Sequence, residues 1–107
     1  MEIEQIVACF KRDHVYYSRH AVFEMENEQF GKIVDIEVEE AVNSGEIIEE
    51  YPDDKPYPSS LVYGKTKKNR PIHLVCAYNK EDESTIVVTV YHPDPGKWID
   101  FKKRIKV

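Results

Sequence analysis

This sequence is poor in the residues that carry dedicated cofactor chemistry. Its 107 residues include two cysteines, Cys9 and Cys76. They are far apart, sit among apolar neighbours and form no CxxC pair, so they read as buried reduced thiols. The four glycines are scattered singly. That leaves no glycine-rich loop to cradle a phosphate and no GxSxG elbow to present a nucleophilic serine. None of His14, His20, His73 and His92 stands four residues from another, which removes the paired helical histidines of a zinc site. No apolar run reaches the ~18 residues of a membrane-spanning helix. The first ten residues, MEIEQIVACF, are acidic and amphipathic, unlike the basic and then apolar regions of a secretory signal. The expectation is one cytoplasmic domain over residues 1–107, with no metal, no cofactor and no membrane partner.

What is plentiful is charge, tyrosine and proline. The net charge of −5 conceals two unlike halves. Residues 1–64 hold 15 acids and 5 bases, and residues 65–107 hold 5 acids and 10 bases. The overall sign argues against a general nucleic-acid binder. The second half alone does not, because its bases cluster in GKTKKNR and KWIDFKKRIK.

Hydrophobic spacing gives the elements. Ile3, Ile6, Val7 and Phe10 recur at helical intervals, predicting a helix over 2–12. Ser18 suits the N-cap of a second helix starting at Arg19, with Ala21 and Met25 on one face and Gly31 beyond its end. Asp35 suits the cap of a third, with Val38, Ala41 and Val42 inward and Gly45 as its stop. After Gly45 the period falls to two: EIIEEY, SLVYGKT, PIHLVCAYN and TIVVTVYH read as four strands. The terminal WIDFKKR reads as a short helix or packed tail. Helices first and strands second predict an α+β fold, N-terminal helices on a four-stranded antiparallel sheet.

The segment EIIEEYPDDKPYPSSL joins the first two strands. Pro52 ends a strand because it cannot donate to the ladder. Asp53 and Asp54 suit a turn. Pro56 and Pro58 hold Lys55 and Tyr57 extended. The product is a stiff connection bearing a tyrosine, which serves either as the wall of a binding site or as a stabilising restraint on the unfolded chain.

The residues left for chemistry are histidines and their neighbours. His20 lies in the first turn of the second helix, where backbone N–H groups favour anions, and it is a candidate general base. By alternation His73 shares a face with Val75 and Ala77. Thr89 and Tyr91 share a face on the next strand, with Val88, Val90 and His92 opposite. Histidine, threonine and tyrosine beside lysine and arginine form a kit for metal-free RNA cleavage, which needs a base for the 2′-hydroxyl, an acid for the leaving oxygen and cations for the phosphate.

The ordered motifs YSRHAVFEM, GEIIEEYPDDKPYPSSLVYG, RPIHLVCAY and TVYHPDPGKW resemble the family known as domain of unknown function 4258, from about Tyr17 to Trp98. The resemblance implies a small RelE-like or BrnT-like fold. It also implies a metal-independent ribonuclease toxin of a type II toxin–antitoxin pair, with an antitoxin partner bearing CxxC zinc-binding pairs. Carried over by position, the matching polar residues are Ser18, His20, Tyr57, Ser59, His73, Thr89 and Tyr91. In this reading His20 is the base or phosphate anchor, His73 or Tyr91 the acid with Thr89 beside it, and Lys67, Lys68 and Arg70 hold the RNA backbone. Where the family's first motif continues into arginines, this chain has Glu24 and Glu28, which exchange a phosphate-binding charge for a repelling one. The competing expectation is a non-catalytic interaction module. Its acidic first half, Glu37, Glu39, Glu40, Glu49 and Glu50 included, would dock a basic or DNA-binding partner, with both candidate histidines buried.

Overall fold

A computed structural model describes residues 1–106. Three helices come first, α1 (Ile3–Lys11), α2 (Arg19–Glu26) and α3 (Asp35–Asn43), with a short strand β1 (Val15–Tyr17) between the first two. Four longer strands follow: β2 (Glu46–Tyr51), β3 (Ser59–Lys65), β4 (Pro71–Asn79) and β5 (Ser84–Tyr91). A small hairpin, β6 (Trp98–Ile99) and β7 (Lys103–Arg104), closes the chain.

The α+β class holds, but the sheet has five strands and is mixed, in the order β1-β5-β4-β3-β2. The meander β2–β5 is antiparallel, whereas β1 adds to β5 in parallel, Val15 opposite Thr85 and Tyr17 opposite Val87. VYY is too short to show a period of two, and parallel pairing across about 70 residues has no local turn to announce it. The C-terminal segment pairs as a hairpin rather than a helix. Asp100 and Phe101 both take positive φ, 52° and 61°, the handedness that tight hairpin turns require.

The core lies between the helices and one face of the sheet. Ile6, Ala21, Met25, Val38 and Val42 pack against Val62, Ile72, Leu74, Cys76 and Val90, all buried. Both cysteines are buried and unpaired, and burial pushes the Cys76 thiol far up. Gly64 lets α3 lie directly on β3, since a Cβ there would overlap the Ala41 carbonyl. Ser18 caps α2 as expected, its Oγ accepting the Ala21 N–H at 3.0 Å. Helix α3 differs: Val34 is its N-cap and Asp35 its first helical residue. The Glu37 carboxylate reaches back to accept the Val34 N–H at 3.0 Å, so a residue in the first turn caps from inside the helix.

A β-bulge in β5 alters which side chains face where. The register steps from Val75 opposite Thr89 to Cys76 opposite Val87, leaving Val88 extra. Strict alternation groups Val88 with the core residue Val90; the bulge turns it to the open face of the sheet, where it lines one cleft with Val75 and Ala77.

Candidate functional site

The open face of the sheet, opposite the core, collects most of the polar residues that the motifs single out. At one end His73 is fully buried. Its Nε2 donates to the Phe101 carbonyl at 2.6 Å and its Nδ1 accepts the Tyr91 hydroxyl at 3.1 Å. That pair of bonds suits one neutral tautomer. Trp98 stands edge-on to the imidazole with ring centroids 4.5 Å apart, and Tyr63 and Tyr91 flank it. Burial holds the His73 pKa below the usual histidine value, and burial likewise pushes the Tyr91 hydroxyl up to about 12. The hairpin β6–β7 is therefore a lid sealed over His73. Arg104 completes it: its guanidinium lies over the Trp98 ring, 4.7 Å from the centroid, and pairs with Glu49 at 2.8 Å and 3.1 Å. The Arg104 bond is the main reason the Glu49 carboxyl titrates below its usual value.

Tyr57 and Ser59 lie at the other end of this face, with Thr89, partly exposed, between the two ends. The Tyr57 hydroxyl accepts from Asn79 Nδ2 at 3.2 Å, and Ser59 Oγ donates to Asp54 at 2.5 Å. The proline loop, with a cis Lys55–Pro56 bond, walls a cleft of about 240 Å³ floored by Val75, Ala77, Ile86 and Val88.

The remaining candidates lie elsewhere. His20 stands on α2, which packs on the core face, and its side chain is 65% exposed, so the expectation of two buried histidines holds for His73 and fails for His20. Its ring is 3.3 Å from Glu24. No hydrogen bond joins it to His73 among the described residues, and it stands in water whereas His73 is sealed. Arg70 is committed to structure: it donates to the carbonyls of Gly31 and Lys32, pairs with Glu37 at 3.2 Å and contacts His92 Nδ1 at 3.3 Å. It thus pins the loop between α2 and α3. Lys67 and Lys68 are exposed in the β3–β4 turn. Among the acids expected to form one docking surface, Glu37 and Glu49 are held by Arg70 and Arg104.

Glu24 and Glu28 do not point into a groove. They finish the sheet. Strand β1 covers β5 only as far as Val87. Beyond it, Ser18 Oγ donates to the Val88 carbonyl at 2.9 Å, Glu24 accepts the Val90 N–H at 3.1 Å and Glu28 accepts the His92 N–H at 2.8 Å. Four helical residues rise about 6 Å and two strand residues about 6.6 Å. Carboxylates at i and i+4 therefore meet alternate amides of a strand running alongside. Helix α2 acts as a surrogate edge strand built of side chains.

A second surface went unread in the sequence. Of the exposed large hydrophobics among the described residues, five fall between positions 22 and 36: Val22, Phe23, Phe30, Val34 and Ile36, 42–65% exposed. Between α2 and the start of α3 runs a groove of about 330 Å³, with Val22, Met25, Ile33 and Val34 on its walls and Glu26, Lys32 and Asp35 at its rim. Tyr17 forms its floor. Its hydroxyl is pushed far up, by burial first and then by Asp35, with Cys76 and Glu39 adding to it; of the rim residues, Glu26 and Asp35 are acidic and Lys32 is basic. The available signal was Phe23 and Val22, which stand outside the Ala21–Met25 stripe that faces the core. No group of three or more His, Cys, Asp or Glu that could hold a metal ion lies together among the described residues, and no helix there is long and apolar enough to cross a membrane.

Comparison with known proteins gives one match. A family described as a domain of unknown function, DUF4258, matches residues 17–92. That span runs from β1 through β5 and stops before the lid hairpin. No curated protein and no solved structure matches.

Proposed function

This chain belongs to the DUF4258 family, whose description assigns no chemistry, and we propose from its geometry that it is a non-catalytic interaction module. The occupant is a basic amphipathic helix of a partner protein, laid in the α2–α3 groove. One observation carries this reading: an apolar trough lined by Val22, Met25, Ile33 and Val34, with Glu26, Lys32 and Asp35 at its rim and Phe23 and Ile36 exposed on the same two helices. Soluble monomers rarely leave such large apolar side chains clustered at the surface without a use. Helix-in-groove recognition needs an apolar channel for anchors at i, i+4 and i+7. The surrounding carboxylates select cations on the helix flanks and steer its approach.

The test uses a designed 18-residue helix of leucine and lysine and its leucine–glutamate counterpart. The basic helix is expected to bind at least tenfold more tightly, weakening as salt rises. Val22→Asp, on the groove wall, should abolish binding. Equal binding of the two peptides, or binding indifferent to Val22→Asp, overturns the reading. So does a concentration-dependent dimer that Phe23→Asp dissolves, since the occupant would then be a second copy.

The second reading is a RelE-like or BrnT-like ribonuclease toxin. It is favoured by the gathering of Tyr57, Ser59, His73, Thr89 and Tyr91 on one sheet face. Under it the groove helix belongs to the antitoxin. His73 acts only if the β6–β7 lid opens, and His20, exposed on α2, serves as the base or phosphate anchor. RNA cleavage by the purified chain, lost in Tyr91→Phe and in His20→Ala, supports it; no cleavage by the wild type removes it.

A further inference from the structure

The cleft under the proline loop is a separate site, on the sheet face opposite the helices. It exists because two short side chains, Ser59 and Ala77, lie side by side on that face. Ser59 lies opposite Ala77, and Ala77 opposite Ile86. Val75, Ile86 and Val88 stand taller around that pit, and Val88 is present only because of the bulge. Pro56 and Tyr57 supply a facing wall.

The wall is fixed before any ligand arrives. Tyr57 is tied to Asn79 and Asp54 to Ser59. The Asp54 N–H donates to the Tyr51 carbonyl at 3.2 Å, and the Tyr78 N–H donates to the Pro58 carbonyl at 3.1 Å. A wall held in this way costs little ordering on binding. One Asp54 oxygen accepts Ser59, and the other meets no donor among the described residues. Lys55, next along the rim, is exposed.

From this arrangement we infer that the cleft binds one unpaired nucleobase carrying an exocyclic amino group. The amino edge donates to Asp54, the ring lies between Tyr57 and the aliphatic floor, and the attached phosphate meets Lys55. At about 240 Å³ the cleft falls below the ~300–1,000 Å³ of sites for drug-sized ligands. One ring system fits and a dinucleotide does not. An alkyl chain would leave Asp54 and Lys55 unanswered, and an indole side chain brings an N–H but no anion. Bases splayed from a single strand supply all three features. The inference requires no cleavage and no groove partner, so it stands or falls independently of the readings above.

Cytidine and uridine monophosphates decide it, since they differ at the edge offered to Asp54, amino in one and carbonyl in the other. Calorimetry, with the Ala77 methyl followed by NMR, should show cytidine monophosphate binding about tenfold more tightly, the size of one hydrogen bond to a charged group. Asp54→Asn keeps an acceptor for Ser59 but offers an N–H, and should reverse the preference. Ala77→Phe fills the pit and should abolish both. A trinucleotide with a central cytidine binding tenfold better than the monophosphate identifies the source as a single strand; equal affinity identifies the free nucleotide. No Ala77 shift at millimolar nucleotide, or a preference untouched by Asp54→Asn, overturns the inference. Asp54 lies in an exposed loop, so that variant decides the matter even where Ala77→Phe fails to fold.

Discussion

His73 shows how one residue type changes meaning with burial. A histidine on a strand is a candidate acid or base while its surroundings are unknown. Sealed beneath Trp98 and Phe101, it becomes a neutral hydrogen-bonding brace. Its depressed pKa has a consequence for stability. The folded state resists protonating it, whereas the unfolded chain protonates near the ordinary value of 6.5. The contribution is therefore complete above that value and is lost as pH falls through the lower folded value. His92, whose pKa is also lowered, by burial and then by Arg70, adds in the same sense. Glu49 acts in a more acidic window, its Arg104 bond lost as pH falls below the ordinary 4.5. Urea midpoints should fall between pH 7.5 and 5, and His73→Gln should flatten that slope without removing the part due to His92. An unchanged slope in His73→Gln would show that the lid does not exclude water from the ring. Ser18 serves twice, capping α2 through its acceptor and holding the Val88 carbonyl through its donor. Ser18→Ala should cost about 1–2 kcal/mol in denaturant unfolding, whereas the glutamate variants described next leave the helix cap intact.

At the scale of elements, the join between α2 and β5 is the least conventional part of the molecule. An exposed strand edge is a template for unwanted pairing. Here β1 covers part of it, and side chains of α2 cover the rest. Glu24→Ala and Glu28→Ala each strip a backbone amide of its acceptor, an expected loss of about 1–3 kcal/mol. Hydrogen exchange at Val90 should quicken in the first and at His92 in the second. Glu24→Gln keeps a side-chain oxygen and should leave Val90 protected. A rate at Val90 equal in wild type and Glu24→Ala would show that the carboxylate is not the acceptor. The contact of α3 with β3 rests on Gly64, whose missing Cβ admits the Ala41 carbonyl. Gly64→Ala should cost about 3 kcal/mol or more, since neither backbone can retreat without opening the core.

For the whole molecule, folding and docking are separable. Val22 and Phe23 are exposed and stand outside the buried core cluster. Val22→Asp and Phe23→Asp should shift unfolding free energy by no more than about 0.5 kcal/mol. A large destabilisation would mean that the groove is part of the core. On the lid, Lys102 and Arg104 answer Glu46 and Glu49.

Much of this was legible in the residues themselves. Period 3.6 followed by period 2 gives three helices and then a meander, because those patterns reflect which side chains must be buried locally. The proline loop reads as stiff because proline restricts its own backbone and its neighbour's. The Ser18 cap needs only the residue and the helix that follows it. Four matters were decided by the tertiary structure alone. The three residues of β1 carry no period, and they join β5 from about 70 positions away. The bulge that turns Val88 outward is set by strand register, not by alternation. The meaning of Glu24 and Glu28 depends on a strand lying beside α2, and that of Arg70 on the loop it pins. His73 and His20 look alike in sequence and end in unlike surroundings, one sealed under the lid and one in water. Local pattern determines the elements because backbone and side-chain preferences act over a few residues. What a polar side chain does is settled by its partners, and here those partners come from distant parts of the chain.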